Sequence, residues 1–367
     1  MTEQDILDQI RAANEQPFEE ESRAEYNELK KNFVIDGSVE YPDPEYLIEI
    51  GGVPTMPKGN LVALSAKWKN GKTFFCDILT AIFLGSDHFA SCRNRQTEGK
   101  VLFFDTEQAE SDTARIHKTI SAMTPQERHN DYEVFCLREA AIDTDVDQNA
   151  MVSRFEFISR SIAQEHPDLV IVDGIADLIY NYNDVIESQD MVNKLAALAN
   201  KHNCCIVVVM HQNKGVKDKN MKGHLGTMLF QKCSDVFNVE KCGSVFVASH
   251  AVSRHRNCED ICFKLDANAV PMDAVADRQL QVEMERQHKE QELREMLISV
   301  VPEDGSPIRR SAAAERIVEN YPYQRAKAYL LLKDFIKRGW LLEVDRSTVK
   351  LNMQLGQIDE QTKRHAG

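Results

Sequence analysis

Nowhere in this sequence does an apolar run approach the ~18 residues that a membrane span requires. No basic-then-apolar segment opens it, so no signal peptide is expected. Both absences predict a cytoplasmic protein with no membrane partner. Among nine cysteines there is no Cys-x-x-Cys spacing. Cys204 and Cys205 are adjacent and others sit in apolar runs, which suits buried thiols in a reducing compartment rather than disulfides or zinc. His224, His250 and His255 are scattered, with no metal-ligand spacing. Internal repeats and low-complexity tracts are also missing. Positive charge is in short supply: 44 Lys and Arg against 58 Asp and Glu leave a net charge of −14. That balance argues against a nucleic-acid binder, but it is uneven. Residues 1–50 hold 14 acidic and 4 basic residues, so −10 of the −14 lies there, and global charge says little about a local channel.

What is present is a soluble globular composition, 43% hydrophobic and 28% charged in 367 residues, enough for a core domain and a smaller one. One stretch carries most of the information. The apolar run Leu61 to Leu64 meets Ser65-Ala66-Lys67-Trp68-Lys69-Asn70-Gly71-Lys72-Thr73, and an apolar helical pattern begins at Phe74. That is the strand–loop–helix setting of a phosphate-binding loop, with Ala66 at the place of its first glycine. Alanine suffices there if the position has negative φ. Residues Ala66 to Phe74 would wrap ATP phosphates with backbone N–H groups and the helix N-terminus. Lys72 would face the β- and γ-phosphates, and Thr73 would ligate Mg²⁺.

Further strands end in acidic or polar residues, on the edge where open α/β sheets bind ligands. Val101 to Phe104 runs into Asp105-Thr106-Glu107, and Leu169 to Val172 ends at Asp173. Asp173 is expected to support Mg²⁺ opposite Thr73, and a helix N-cap role is compatible with that. Glu107 is the candidate general base that orients water, against the plainer role of a solvated acid in a first helical turn. Asp105 and Asp177 are the next carboxylates to test. Cys205 to Met210 ends at His211-Gln212-Asn213. Gln212, and after it His211, is the expected sensor of the γ-phosphate. His211 alternatively is an ordinary histidine at a strand end.

In this order the four pieces resemble the RecA-like ATPase superfamily, and most closely the RepA and DnaB-type hexameric helicase group of bacterial plasmids and mobile elements. The resemblance spans about Gly51 to Asp266. It implies a mostly parallel α/β sheet flanked by helices, ATP and Mg²⁺ as cofactors, and a homo-oligomer, a hexameric ring, with nucleotide between subunits. It also implies that Arg254 and Arg256, in Ser253-Arg254-His255-Arg256-Asn257, reach a neighbour's nucleotide. The alternative is an exposed basic turn. Residues 211–227 contain Lys214, Lys217, Lys219 and Lys222 with three glycines. In RecA-like rings the loop after this strand faces single-stranded DNA, and these lysines would neutralise its phosphates. A solvated surface loop is the rival reading.

Residues 1–47 read as an acidic, partly helical arm with a linker, 48–272 as the ATPase domain, with Ile48 to Pro57 as its entry strand and helices over Thr73–Leu84, Ala109–Met123, Met151–Glu165 and Met191–Lys201, 273–355 as a helical connector and small domain, and 356–367 as a tail. In the small domain a helix over Ala312–Asn320, a second over Gln324–Arg338 and two short strands resemble a winged helix-turn-helix domain. Gln324, Arg325 and Lys327 would then lie where groove contacts are made. The domain is near neutral, and many such modules bind protein instead. The expectation from sequence is an oligomeric, DNA-dependent ATPase, a helicase, translocase or loader serving replication, mobilisation or recombination of a mobile element or plasmid. The alternative is an ATP-switched DNA-binding regulator or assembly factor that unwinds nothing.

Overall fold

The computed structural model describes residues 20–140, 142, 153–213, 218, 220–254 and 256–353. Helix α1 (Glu20–Phe33) belongs to a compact unit covering Met1–Glu45, and everything from Tyr46 onward forms a second unit. α1 is charged along its length, with Lys31 paired to Glu28 at 2.5 Å across one turn. Asp36 then starts a turn by accepting the Ser38 N–H at 2.9 Å.

The second unit opens with a correction to the sequence reading. Ile48 to Pro57 was expected as a single entry strand. It is a hairpin, β1 (Tyr46–Ile50) and β2 (Val53–Pro57), because Gly51 and Gly52 take φ of 57° and 76° and turn the chain. With β4 (Cys92–Asn94) they form a separate three-stranded sheet.

The main sheet has nine strands. Six are parallel: β3 (Leu61–Ala66), β5 (Val101–Asp105), β6 (Tyr132–Cys136), β7 (Leu169–Asp173), β8 (Cys205–His211) and β9 (Asp235–Cys242). Three more add antiparallel at one edge: β10 (Val245–Ser253), β11 (Ile261–Leu265) and β12 (Pro271–Asp273). The order is β12-β11-β10-β9-β3-β8-β7-β5-β6. The chain leaves β3, passes over two later strands and enters β5, which opens a crevice above the carboxyl ends of β3, β8, β7 and β5.

Helices α2 (Lys72–Phe83), α3 (Glu110–Met123), α4 (Arg154–Glu165), α5 (Val185–His202) and α6 (Gly223–Lys232) cover the two faces. Each β3 side chain chooses its face by period two: Val62, Leu64 and Ala66 join one core with Phe75, Ile78 and Phe103, while Leu61 and Ala63 join the other with Phe104 and Ile206. This is why the strands read as continuous apolar runs. Helix boundaries differ from expectation mainly in α5, which begins at Val185 rather than Met191. Asp184 caps it by accepting the Glu187 N–H at 2.8 Å, and Glu187 reaches back to Tyr180 and Asn181 N–H groups.

After a long helix α7 (Val275–Val300), the chain builds its own small core. It consists of α8 (Arg310–Asn320), α9 (Arg325–Lys337) and a sheet of order β13-β15-β14 from Ile308–Arg309, Thr348–Leu351 and Leu341–Glu343. Sequence foresaw the two later strands but not Ile308–Arg309, whose two residues are too few to show a period.

Candidate active site: a nucleotide cavity and its shared wall

The loop after β3 has the backbone a phosphate cradle needs. Lys69 and Gly71 take positive φ, 60° and 82°, and Asn70 donates to the Lys67 carbonyl at 3.2 Å. A side chain at Gly71 would meet the Phe246 ring at 2.8 Å, so glycine is required on two counts. Ala66 closes β3 with negative φ, which is why alanine replaces glycine there without strain.

Lys72 and Thr73 open α2. Lys72 is almost fully buried, and that burial lowers its pKa while Asp173 and Glu107 hold it up. Thr73 Oγ1 donates to Asp173 Oδ2 at 2.6 Å. Burial raises the Asp173 pKa to about 7, against the Thr73 hydrogen bond. Two hard oxygens at this separation, a threonine hydroxyl and a buried carboxylate, fit a Mg²⁺ ion completed by phosphate and water. Such an ion would neutralise charge on the phosphates. Among the described residues no group of three or more His, Cys, Asp or Glu could hold a metal alone.

Parallel register sets Ala66 beside His211 and Asp105 beside Asp173, and because Asp173 pairs with Val209 the first pair stands two residues further along the sheet. His211 Nδ1 lies 3.2 Å from Lys72 Nζ, and its Nε2 lies 3.4 Å from Glu107 Oε1. An ammonium can only donate, so Nδ1 accepts and Nε2 carries the proton toward Glu107. The Glu107 carboxyl is held below its usual range by His211 first, against burial.

The other carboxylates are occupied elsewhere. Asp105 accepts the Glu107 and Gln108 N–H groups, both at 3.0 Å, and the Thr113 hydroxyl at 2.7 Å. Asp177 accepts the Thr106 hydroxyl at 3.1 Å, and burial raises its pKa. Gln212 is placed differently from expectation. Its amide donates to Ser65 Oγ at 3.1 Å and Asn238 Oδ1 at 3.4 Å, behind the phosphate loop, because strand alternation turns it away from His211. His211 is the residue brought to Lys72.

A cavity of about 870 Å³ extends from the phosphate loop, Trp68 to Phe74, past Glu107 and His211. Its far walls are Arg115, Ile116 and Thr119 of α3, and Phe246 with the β11–β12 turn Asn268 to Val270. Sequence reasoning named none of these. The turn is legible, but not its position over the loop. Asp77 Oδ1 and Gln108 Nε2, on residues that also line this cavity, are buried with no hydrogen-bond partner among the described residues.

A family model described as an AAA domain matches residues 22–216, more than half of the chain. The chain belongs to this family of AAA-type P-loop ATPases. No curated protein matches it. An AAA domain binds and hydrolyses nucleotide, so the chain is a nucleotide-hydrolysing ATPase. Among the described residues no helix is long and apolar enough to cross a membrane.

A second cavity, about 510 Å³, lies on the other side of Glu107 and His211 and shares them as its wall. Arg138, Arg154, Tyr182 and Lys222 also line it. Arg154 is consumed by the Leu137, Arg138 and Asp177 carbonyls. Lys222 stands 4.6 Å over the Tyr182 ring. Lys214, Lys217 and Lys219 lie outside the described residues. Arg254 follows β10, and β10 runs antiparallel to β9, so Arg254 sits at the sheet edge opposite its own phosphate loop. Its guanidinium donates to the Lys232 carbonyl at 2.8 Å, and Arg256 is exposed. Gln324 is the N-cap residue of α9, and it, Arg325 and Lys327 are exposed, with Arg325 3.4 Å from Glu315.

Proposed function

We propose that this ATPase is an oligomeric, DNA-dependent motor or loader of a bacterial plasmid or mobile element, working as a ring with ATP between subunits. The observation that carries this reading is the shared wall. Glu107 and His211 face the nucleotide on one side and a partly basic cavity on the other, so phosphate contact on either side acts on one pair of groups. Glu107 orients the attacking water, Lys72 and Thr73 hold phosphates and Mg²⁺, and Asp173 supports the metal. His211 touches Lys72 and so reports the γ-phosphate. Lys222, with Lys214, Lys217 and Lys219, binds the phosphates of single-stranded DNA. Arg254 and Arg256 act on a neighbour's ATP, which their place at the opposite edge of the sheet favours.

ATP turnover measured with and without single-stranded DNA, followed by strand displacement on a forked duplex, tests the proposal. Stimulation with unwinding is expected. No response to any DNA would overturn it.

A second reading has its own observation. The helices α8 and α9 with the sheet β13-β15-β14 support reading a winged helix, and Gln324, Arg325 and Lys327 at the start of α9 are exposed, where groove contacts would be made. In that reading the protein is an ATP-switched DNA-binding regulator or assembly factor, and DNA stimulates turnover without unwinding.

Glu107→Gln separates binding from hydrolysis. ATP affinity should be nearly unchanged while turnover falls about 10²–10⁴-fold, the range of a general base. Asp105 and Asp177 already accept from other groups, so neither should substitute. A loss under about tenfold, measured at saturating ATP, would remove Glu107 from this role.

Replacing Lys214, Lys217, Lys219 and Lys222 together with alanine should weaken single-stranded DNA binding and spare DNA-free turnover. The slope of log affinity against log salt should flatten by about 0.7 per lost contact. A chain ending at Asp273 is the control for the winged helix. If that chain loses all DNA binding while the four-alanine protein keeps both affinity and slope, DNA binds through the C-terminal module instead.

A further inference from the structure

Beneath the segment that joins β10 to β11 lies a buried pair with no part in the nucleotide chemistry above. His250 Nε2 lies 3.0 Å from Asp235 Oδ1, and their side chains are 0% and 5% exposed. The Cys258 N–H donates to His250 Nδ1 at 3.1 Å. Nδ1 is therefore the acceptor, and the ring proton sits on Nε2, directed at Asp235. The other Asp235 oxygen accepts the Met56 N–H at 3.3 Å. Phe237 stacks on the imidazole at 4.6 Å between centroids. The ring thus has one tautomer and one orientation, and its remaining lone pair faces the segment above.

That segment carries Arg256. Residues 256–260 belong to no helix or strand, and the bond from Cys258, two residues beyond Arg256, ties them to the core. The register of β10 shifts between His250 and Val252, and an irregularity of this kind re-aims the strand end that follows it. A buried carboxylate bonded to an imidazole is a poor way to gain stability compared with apolar packing. A fixed acceptor for a loop that must hold one arginine still is a sufficient reason for it.

We propose that His250, oriented by Asp235, is the positioning residue for Arg256. It fixes the 256–260 segment so that the guanidinium projects toward a neighbouring subunit's nucleotide. This rests on the reading of Arg256 as a trans-acting group.

The test uses His250→Gln in the full chain. Glutamine can still donate to Asp235 but offers Cys258 no acceptor at the Nδ1 position, whereas His250→Asn keeps an acceptor there. His250→Gln should bind ATP normally and lose about tenfold or more in kcat, the scale of a small misplacement of a catalytic group. His250→Asn should retain most of it. Mixed with Glu107→Gln, the His250→Gln protein should regain activity, since a mixed interface pairs a good base with a well-held arginine. Mixed with Arg256→Ala it should not. A merely misfolded chain would regain nothing with Glu107→Gln. If His250→Gln melts early or fails to co-assemble, Asp235→Asn, which leaves the Cys258 bond in place but disturbs the orientation of the imidazole, is read by the same rescue pattern. Wild-type kcat in these variants, beside a defective Arg256→Ala, overturns the positioning role. Wild-type kcat in Arg256→Ala overturns the trans reading itself.

Discussion

Lys72→Ala is expected to abolish ATP hydrolysis, by about 10³-fold or more, and to weaken nucleotide binding. The size follows from the surroundings of the side chain. Lys72 is buried beside Asp173 and Glu107, and both hold its positive charge in place against desolvation. Removing it leaves two carboxylates facing the incoming phosphates with no side-chain cation between them. It also removes the donor on His211 Nδ1, which fixes the tautomer that faces Glu107. One substitution therefore strips the phosphates of a charge and frees the group that orients the candidate base. Phosphate release at saturating ATP and nucleotide binding by fluorescence check the two halves separately. Near-wild-type turnover in a protein that melts like the wild type would refute Lys72 as a catalytic group and the ATP site with it.

The next largest effect is expected from Arg256→Ala. A guanidinium that completes a phosphoryl-transfer site in trans contributes about 10³–10⁵ in rate. In the proposed ring the exposed Arg256, two residues beyond Arg254 at the sheet edge away from the phosphate loop, serves a neighbour's nucleotide rather than its own. The variant should assemble and bind ATP, yet hydrolyse it poorly. Equal mixtures with Glu107→Gln should recover activity well above either parent, because some interfaces pair an intact base with an intact arginine. Arg254→Ala should show the same pattern more weakly, since its guanidinium is already donated to the Lys232 carbonyl. Mixtures that co-assemble on a sizing column but recover nothing would assign Arg256 a structural place instead.

Much of this was legible in the chain itself. The phosphate loop from Ala66 to Thr73 announced its backbone because only a short glycine-bearing turn joins a buried strand to a helix in that way. Val101 to Phe104, Leu169 to Val172 and Cys205 to Met210 read as strands because a parallel sheet covered on both faces needs apolar residues at every position. Their terminal residues Glu107, Asp173 and His211 were visible as site candidates for the same reason.

What the sequence by itself determined is local: which segments are strands, where each one stops, and which polar groups stand at its end. Only the tertiary structure decided which of those groups meet. Strand register put His211 rather than the Gln212 amide against Lys72, since neighbours on one strand face opposite sides. Competing hydrogen bonds occupied Asp105 and Asp177 and left Glu107 facing the cavity. Long-range packing laid Phe246 and the turn at Asn268 over the phosphate loop, and set His250 against Asp235 and the Cys258 N–H. These pairings join residues far apart in the chain, and they are fixed by the order and register of the sheet, which no local pattern of side chains encodes.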